Sequence, residues 1–286
     1  MVEIFSDPDW QMTLGERAAL EGILCERKPR LAIELGTAAG RSLRRIAAHA
    51  EEVHSFDLAA PPAAVQGIAN VSFHIGDSHH LLPEALDRFA EEGRNVDFAL
   101  VDGDRSPGRV RADLEALLDS AAVADTVIVV HGGANEQVRA GLDSVHYGTF
   151  PKVAHVNLDF VPGYMRRDPG HRHELDGGLG LVVVDATRKA YFPDKPVVED
   201  RYYEAGHLYP EIRALMIAAE SAEPASAEEA REQRTLAAEL DAACAERDRY
   251  RHLSDSVLTS LSWKVTAPLR AVTHRGRRMA TKTPGP

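Results

Sequence analysis

Thiols are nearly missing from this 286-residue chain, and its two cysteines, Cys25 and Cys244, fall in segments that look unrelated. Two such residues build no disulfide framework, and they suit a reducing compartment with free thiols. Long apolar runs are missing as well. No stretch approaches the roughly 20 residues that span a bilayer, and the start has no basic segment followed by an apolar one, so a cytoplasmic protein is expected. Positive charge is in deficit, with 33 Lys and Arg against 44 Asp and Glu and a formal charge of −11. That argues weakly against nucleic acid as a partner, because neutralising phosphates needs a basic surface. The deficit is uneven. After Asp255 there are six basic residues, Lys264, Arg270, Arg275, Arg277, Arg278 and Lys282, and no acid. No internal repeat is visible.

What is present is an ordinary soluble composition, 44% hydrophobic and 27% charged, in a chain long enough for one full domain and an appendage. Residues Leu14 to Glu26 have apolar positions at helical spacing. Strand-like runs follow at Leu31–Leu35, Val53–Asp57, Val71–Gly76, Val96–Asp102 and Thr126–Val130. Helical patterns separate them at Arg41–Ala50, His80–Glu92 and Val110–Ala122, with a weaker crossover at Ala63–Ala69. Such alternation predicts βαβ units and a parallel sheet covered on both faces. A helix near Glu136–Asp143 precedes two further strands, Val153–Leu158 and Leu179–Asp185. They have no helix between them, which predicts an antiparallel pair. The intervening polar stretch, Asp159 to Gly178, is long for a connection and reads as a binding loop.

The most informative segment is Leu31-Ala-Ile-Glu-Leu-Gly-Thr-Ala-Ala-Gly40. A strand that ends in an acid and runs through glycines into a helix brings backbone N–H groups and a positive helix end to the edge of the sheet. A dinucleotide fingerprint needs Gly-x-Gly-x-x-Gly. Here Gly36 and Gly40 are present, but Ala38 takes the middle place, which disfavours a nicotinamide enzyme. The form Glu-Leu-Gly-Thr-x-x-Gly-x-Ser resembles motif I of class I S-adenosylmethionine-dependent methyltransferases, and the likeness extends from about residue 10 to 215. It implies an α/β, Rossmann-like fold with a seven-stranded, mostly parallel sheet, helices on both faces, and S-adenosylmethionine as cofactor. Glu34, Gly36, Thr37, Gly40 and Ser42 match the part of the family that holds the methionine end. Asp57 matches the acid that takes both ribose hydroxyls, a role a carboxylate suits because it only accepts hydrogen bonds. Asp77 and Ser78 follow the third strand, where the family contacts the adenine. Val96 to Ser106 and Gly177-Gly-Leu-Gly180 resemble the small-molecule O-methyltransferase subgroup. Taken singly, each of these residues would more often be a strand-end cap or a turn; the order and spacing of the set carry the reading.

Catalysis is read from Asp102 and His131. In metal-dependent relatives the acid after strand four joins an acid or amide pair after strand five to hold magnesium, a cation that wants several oxygen ligands. This chain has Asp102 and Asp104, but strand five ends in His131-Gly132-Gly133, and Arg105 stands where the family keeps a histidine. Both departures count against a metal, so no metal ligand is assigned. His131 at a strand end could serve as a general base, since its pKa lies near working pH, or be a satisfied structural residue; the two readings are about even. His79-His80 and His171-Arg-His173 lack the companions of a zinc set and read as solvated loop residues.

The expected domain spans residues 1–220. A linker begins at Ser221 and leads into a helix through residue 262, where Leu236, Leu240, Ala243, Arg247, Tyr250, Ser254, Val257 and Leu261 form an imperfect a/d seam. One solvated helix packing on a neighbour is the plainer reading, and a short coiled coil the other. A basic tail, 263–286, closes the chain. Ser260-Leu-Ser-Trp-Lys-Val-Thr-Ala-Pro-Leu-Arg270 resembles tails of bacterial enzymes that build surface polysaccharides. Three expectations follow: an O-methyltransferase acting on a sugar or other small polar hydroxyl in a glycan or secondary-metabolite pathway; a homo-oligomer or pathway partner held by the helix; and peripheral membrane contact through the basic tail. The alternative is a non-catalytic protein that keeps the fold and serves as an assembly partner.

Overall fold

A computed structural model describes Asp7, residues 10–166, 170, 171, 173–187 and 208–221, and single positions at 235, 236 and 238. The chain divides into two units, Met1–Ala219 and Glu220–Pro286. The seam, the polysaccharide-like segment, the basic tail and Cys244 lie outside the described residues, apart from Leu236, which is exposed.

Nine strands and six α-helices are described in the order α1 (Leu14–Arg27), β1 (Leu31–Leu35), α2 (Arg41–His49), β2 (Glu52–Asp57), β3 (Val71–Ile75), α3 (Ser78–Glu91), β4 (Phe98–Val101), α4 (Pro107–Asp119), β5 (Asp125–His131), α5 (Glu136–Asp143), β6 (Val153–Val161), β7 (Tyr164–Met165), β8 (Leu175–Asp176), β9 (Leu179–Asp185) and α6 (Leu208–Ser221). Seven strands form one sheet in the order β3-β2-β1-β4-β5-β9-β6. The first five run parallel, and β9 enters antiparallel between β5 and β6. Seven strands and a closing antiparallel pair are as expected.

Strand alternation divides the core. Leu31, Ile33 and Leu35 of β1 face α3, α4 and α5, with Leu86, Phe89, Leu114 and Leu117 among their neighbours. Ala32 faces the other way, into a cluster with Leu20 and Leu24 of α1 and Leu43 and Ile46 of α2. Glu34 shares the Ala32 side and is fully buried beneath α2. All five residues of β1 are buried, so a lone acid there needs partners. Thr13 starts α1 as a capping box, its hydroxyl accepting from Glu16 N–H while the Glu16 carboxylate accepts from Thr13 N–H.

Two expectations are corrected. The Ala63–Ala69 crossover is not a helix. It is a pair of turns, with Val65 N–H donating to Pro62 and Ile68 N–H to Val65, and buried Val65 pins them against α2's start. The stretch from Asp159 to Gly178 is not one open loop. β6 continues through Val161, and a short antiparallel ribbon, β7–β8, brings the chain back to β9. Among the described residues no helix is long and apolar enough to cross a membrane.

Candidate active site

The order β2-β1-β4 places a crevice at the carboxyl ends of β1 and β4, where chain connections leave in opposite directions; open α/β sheets bind ligands there. A cavity of about 410 Å³ lies at this edge, lined by Gly36, Ala38, Asp57, Asp77, Ser78 and Asp102 among others. Its size falls in the ~300–1,000 Å³ range of small-molecule sites.

The turn from β1 to α2 is held from below and from the side. Glu34 accepts from the Ser42 hydroxyl at 2.6 Å and the Ser55 hydroxyl at 2.8 Å, and Ser55 Oγ lies 2.7 Å from Thr37 Oγ1. Burial pushes the Glu34 carboxyl up to about 8, and the hydroxyl donors only partly offset it. Glu34 and Ser42 therefore brace the turn from inside. Gly36 has φ of +95°, and a Cβ there would stand 2.2 Å from the Asp102 carbonyl oxygen. Gly40 has φ of +70° and touches Val65, where a Cβ would meet a methyl at 2.4 Å. Ala38, at the missing middle glycine, takes φ of +42°, a left-handed conformation that costs an alanine free energy. Asp57 at the end of β2 accepts from Thr37 N–H at 2.8 Å, Ala38 N–H at 3.0 Å and Ala59 N–H at 2.9 Å.

Across the cavity Asp77 caps α3, accepting from His79 N–H, and forms a two-pronged pair with Arg109 at 2.7 and 2.9 Å. The Arg109 bonds, then the His79 N–H, hold the Asp77 carboxyl below its ordinary range. Ser78 donates to Asp113, whose carboxyl is pushed up to about 6 by burial. Asp102 follows β4 and lines the cavity, and its Oδ1 lies 2.8 Å from His131 Nδ1. His131 is buried behind Asp102 and does not line the cavity. Asp104 also lines the cavity while accepting from Ser106 N–H, and Arg105 reaches Asp176 of the ribbon at 3.2 Å.

Residues 33–132 match the family model of a methyltransferase domain. That is about a third of the chain, and it spans β1 through β5. No curated protein sequence matches the chain. Among solved structures, the O-methyltransferase TomG from Streptomyces achromogenes, in complex with SAM, is 18% identical at a TM-score of 0.42; the match covers 62% of this chain and 83% of that one. An O-methyltransferase from Bacillus cereus, in complex with SAH, is 15% identical at 0.41 and covers 62% and 84%. An rRNA methylase from Streptococcus thermophilus is 12% identical at 0.40 and covers 58% and 93%. Superpositions at this level carry no argument of their own; the sheet order and the site stand without them.

The structure brings Gly36, Asp57, Asp77, Ser78 and Asp102 to one cavity and places Glu34, Thr37, Gly40, Ser42 and His131 around it as supports. Two residues escaped the sequence reading. Arg109 carries no motif and lies in the first turn of an amphipathic helix. Glu16 carries a visible capping-box signal, Thr13-x-x-Glu16, and nothing in that signal points 115 positions ahead to His131. His79 and His80 meet edge to face. His171 is exposed, with Glu174 beside it at 3.0 Å. Among the described residues one group has spacing suited to a metal, Glu21, Cys25 and His49, and there the Arg45 guanidinium already bonds both Glu21 oxygens.

Proposed function

We propose that the cavity binds S-adenosylmethionine and that the chain transfers its methyl group to an oxygen of a small polar acceptor, a sugar hydroxyl being the favoured class. One observation supports this most. The glycine turn after β1, the acid ending β2 and the acid after β4 converge on one cavity at the β1/β4 switch point, inside the segment that matches a methyltransferase domain. The residues fit that cofactor. Two positive-φ glycines let the backbone come close, Asp57 keeps an acceptor site on Oδ1, which takes one N–H where Oδ2 takes two, and no phosphate-binding middle glycine is needed. When bound, the cofactor supplies a methyl group already electrophilic on a sulfonium. The chain's own task is alignment, together with acceptance of one proton. Asp102 is the group for that proton, because it lines the cavity and its Oδ2 carries no hydrogen bond from a described residue. His131 orients it from behind. The residues after 221 are proposed to attach the enzyme to a partner, a second copy or a membrane face in a glycan pathway.

Calorimetry tests the cofactor. S-adenosylmethionine and S-adenosylhomocysteine should bind at micromolar levels, about −8 kcal/mol at 1 μM, and NAD should not. Isotope transfer from methyl-labelled S-adenosylmethionine to a panel of hexoses, nucleotide sugars and phenols tests the reaction. Absence of heat with both sulfur ligands removes the reading, and binding with no transfer favours the non-catalytic assembly partner.

A further inference from the structure

Glu16 in the first turn of α1 is fully buried. Its Oε2 accepts from Thr13 N–H, its Oε1 accepts from Gly178 N–H, and Oε1 also lies 3.8 Å from His131 Nε2. That nitrogen is buried and has no hydrogen-bond partner, while Nδ1 of the same ring meets Asp102. Three elements thus bring acid, imidazole and acid into line: α1, the end of β5 and the turn after β4. A carboxylate only accepts, so Nδ1 is assigned the hydrogen shared with Asp102. An unprotonated Nε2 would then aim a buried lone pair at a second carboxylate, whereas a protonated one aims N–H at it. Geometry favours the imidazolium. Burial pulls the ring's pKa down, but the Asp102 hydrogen bond and the charges of Asp102 and Glu16 outweigh it and raise it, with Arg105 opposing.

We propose that Glu16 is a positioning residue of this site: it is the second counter-ion of His131, so that Asp102 can take up the acceptor's proton without stranding a buried cation. The inference rests on the methyl-transfer reading above. In that step the acceptor O–H bond breaks and its proton goes to Asp102. The O–H electron pair forms the new O–C bond, and the C–S pair leaves on sulfur. Asp102 becomes neutral, His131 stays charged, and Glu16 still pairs it. Without Glu16 the same protonation either leaves an imidazolium with no anion in a buried place, where an unpaired charge is costly, or forces the ring to give up its proton and its fixed pairing with Asp102.

The test is a histidine titration by NMR on the full-length, ligand-free chain, with the His131 signal assigned by its loss in His131→Gln. In the wild type its midpoint should lie above the ordinary 6.5. In Glu16→Gln it should fall by about 1–3 units, the usual effect of losing an opposite charge at this range. Thr13→Ala loosens the same helix start with Glu16 in place and should leave the midpoint where it is. An unmoved midpoint in Glu16→Gln, or an equal fall in Thr13→Ala, overturns the proposal. Should Glu16→Gln fail to fold, the wild-type ring nitrogen shifts decide, and a mostly neutral ring at pH 6.5 overturns it. With any acceptor from the panel that turns over, Glu16→Gln should lower kcat about 10-fold or more while leaving KM for S-adenosylmethionine unchanged. A kcat that ignores the moved midpoint also overturns it. Failure of sulfur-ligand binding sinks the methyltransferase reading instead, and leaves the titration to judge Glu16.

Discussion

The turn after β1 is held by partners close in sequence, whereas the ends of β4 and β5 are held by distant ones. Ser42 reaches Glu34 across 8 residues, Thr37 reaches Asp57 across 20 and Ser55 reaches Glu34 across 21. On the other side Asp102 and His131 are 29 apart, Arg105 and Asp176 are 71 apart, and Glu16 and Gly178 are 162 apart. The first half is a local device, nearly complete once β1, α2 and β2 have met. The second exists only when the whole sheet has closed and α1 has docked. The proposed binding residues and the proposed proton-accepting pair should therefore fail separately.

The largest expected effect lies in the local half. Glu34 keeps a proton in the folded chain up to about 8, but an unfolded one loses it near 4.5. Between those values the folded state binds more protons, so stability falls as pH rises through that window and remains lower above it. Urea unfolding at about pH 5 and about pH 9 should show the wild type losing on the order of 4 kcal/mol more than Glu34→Gln. Equal slopes would mean that Glu34 is ionised throughout and that the turn is braced differently.

Next comes Gly36→Ala. Its positive φ and the 2.2 Å approach to the Asp102 carbonyl leave no room for a methyl group, so a loss of about 3 kcal/mol or more is expected by chemical denaturation. Because that contact joins the two halves, His131 should also change its titration; a merely local loss would sharpen the division drawn above. Asp57→Ala should weaken S-adenosylhomocysteine binding about 10-fold, roughly 1.4 kcal/mol, and leave the His131 midpoint alone. Unchanged affinity would mean that the carboxylate is spent wholly on the turn's N–H groups. The smallest effect is expected from chelation. Gly132 follows β5, and an imidazole already occupies one oxygen of Asp102, so EDTA should leave transfer intact. Turnover lost on chelation and restored by magnesium would refute this.

The same division explains what could be read in advance. The strands β1, β2, β3, β5 and β9 were legible within a residue or so because a parallel, doubly covered sheet writes itself as apolar runs between glycine turns. Gly36, Asp57 and Asp77 were legible because their spacing is local. The Val65 turns passed for a weak helix because Val65 and Ile68, three residues apart and packed on one cluster, imitate a helical step. The β7–β8 ribbon was hidden because two-residue strands leave no period to detect. Glu16 announced itself as a cap and nothing more, since no local pattern encodes a neighbour placed by folding.

The entry of β9 between β5 and β6 has a consequence for how this protein is made. β6 pairs in the main sheet with β9 alone, so every residue through Asp185 must leave the ribosome before β6 has a strand to join. Until then β5 presents an open apolar edge of Val127, Ile128, Val129 and Val130 to the crowded space around a growing chain. A nascent chain stalled near residue 161 should be the species that chaperones bind most and that aggregates first, and release of about 25 more residues should end that vulnerability in one step.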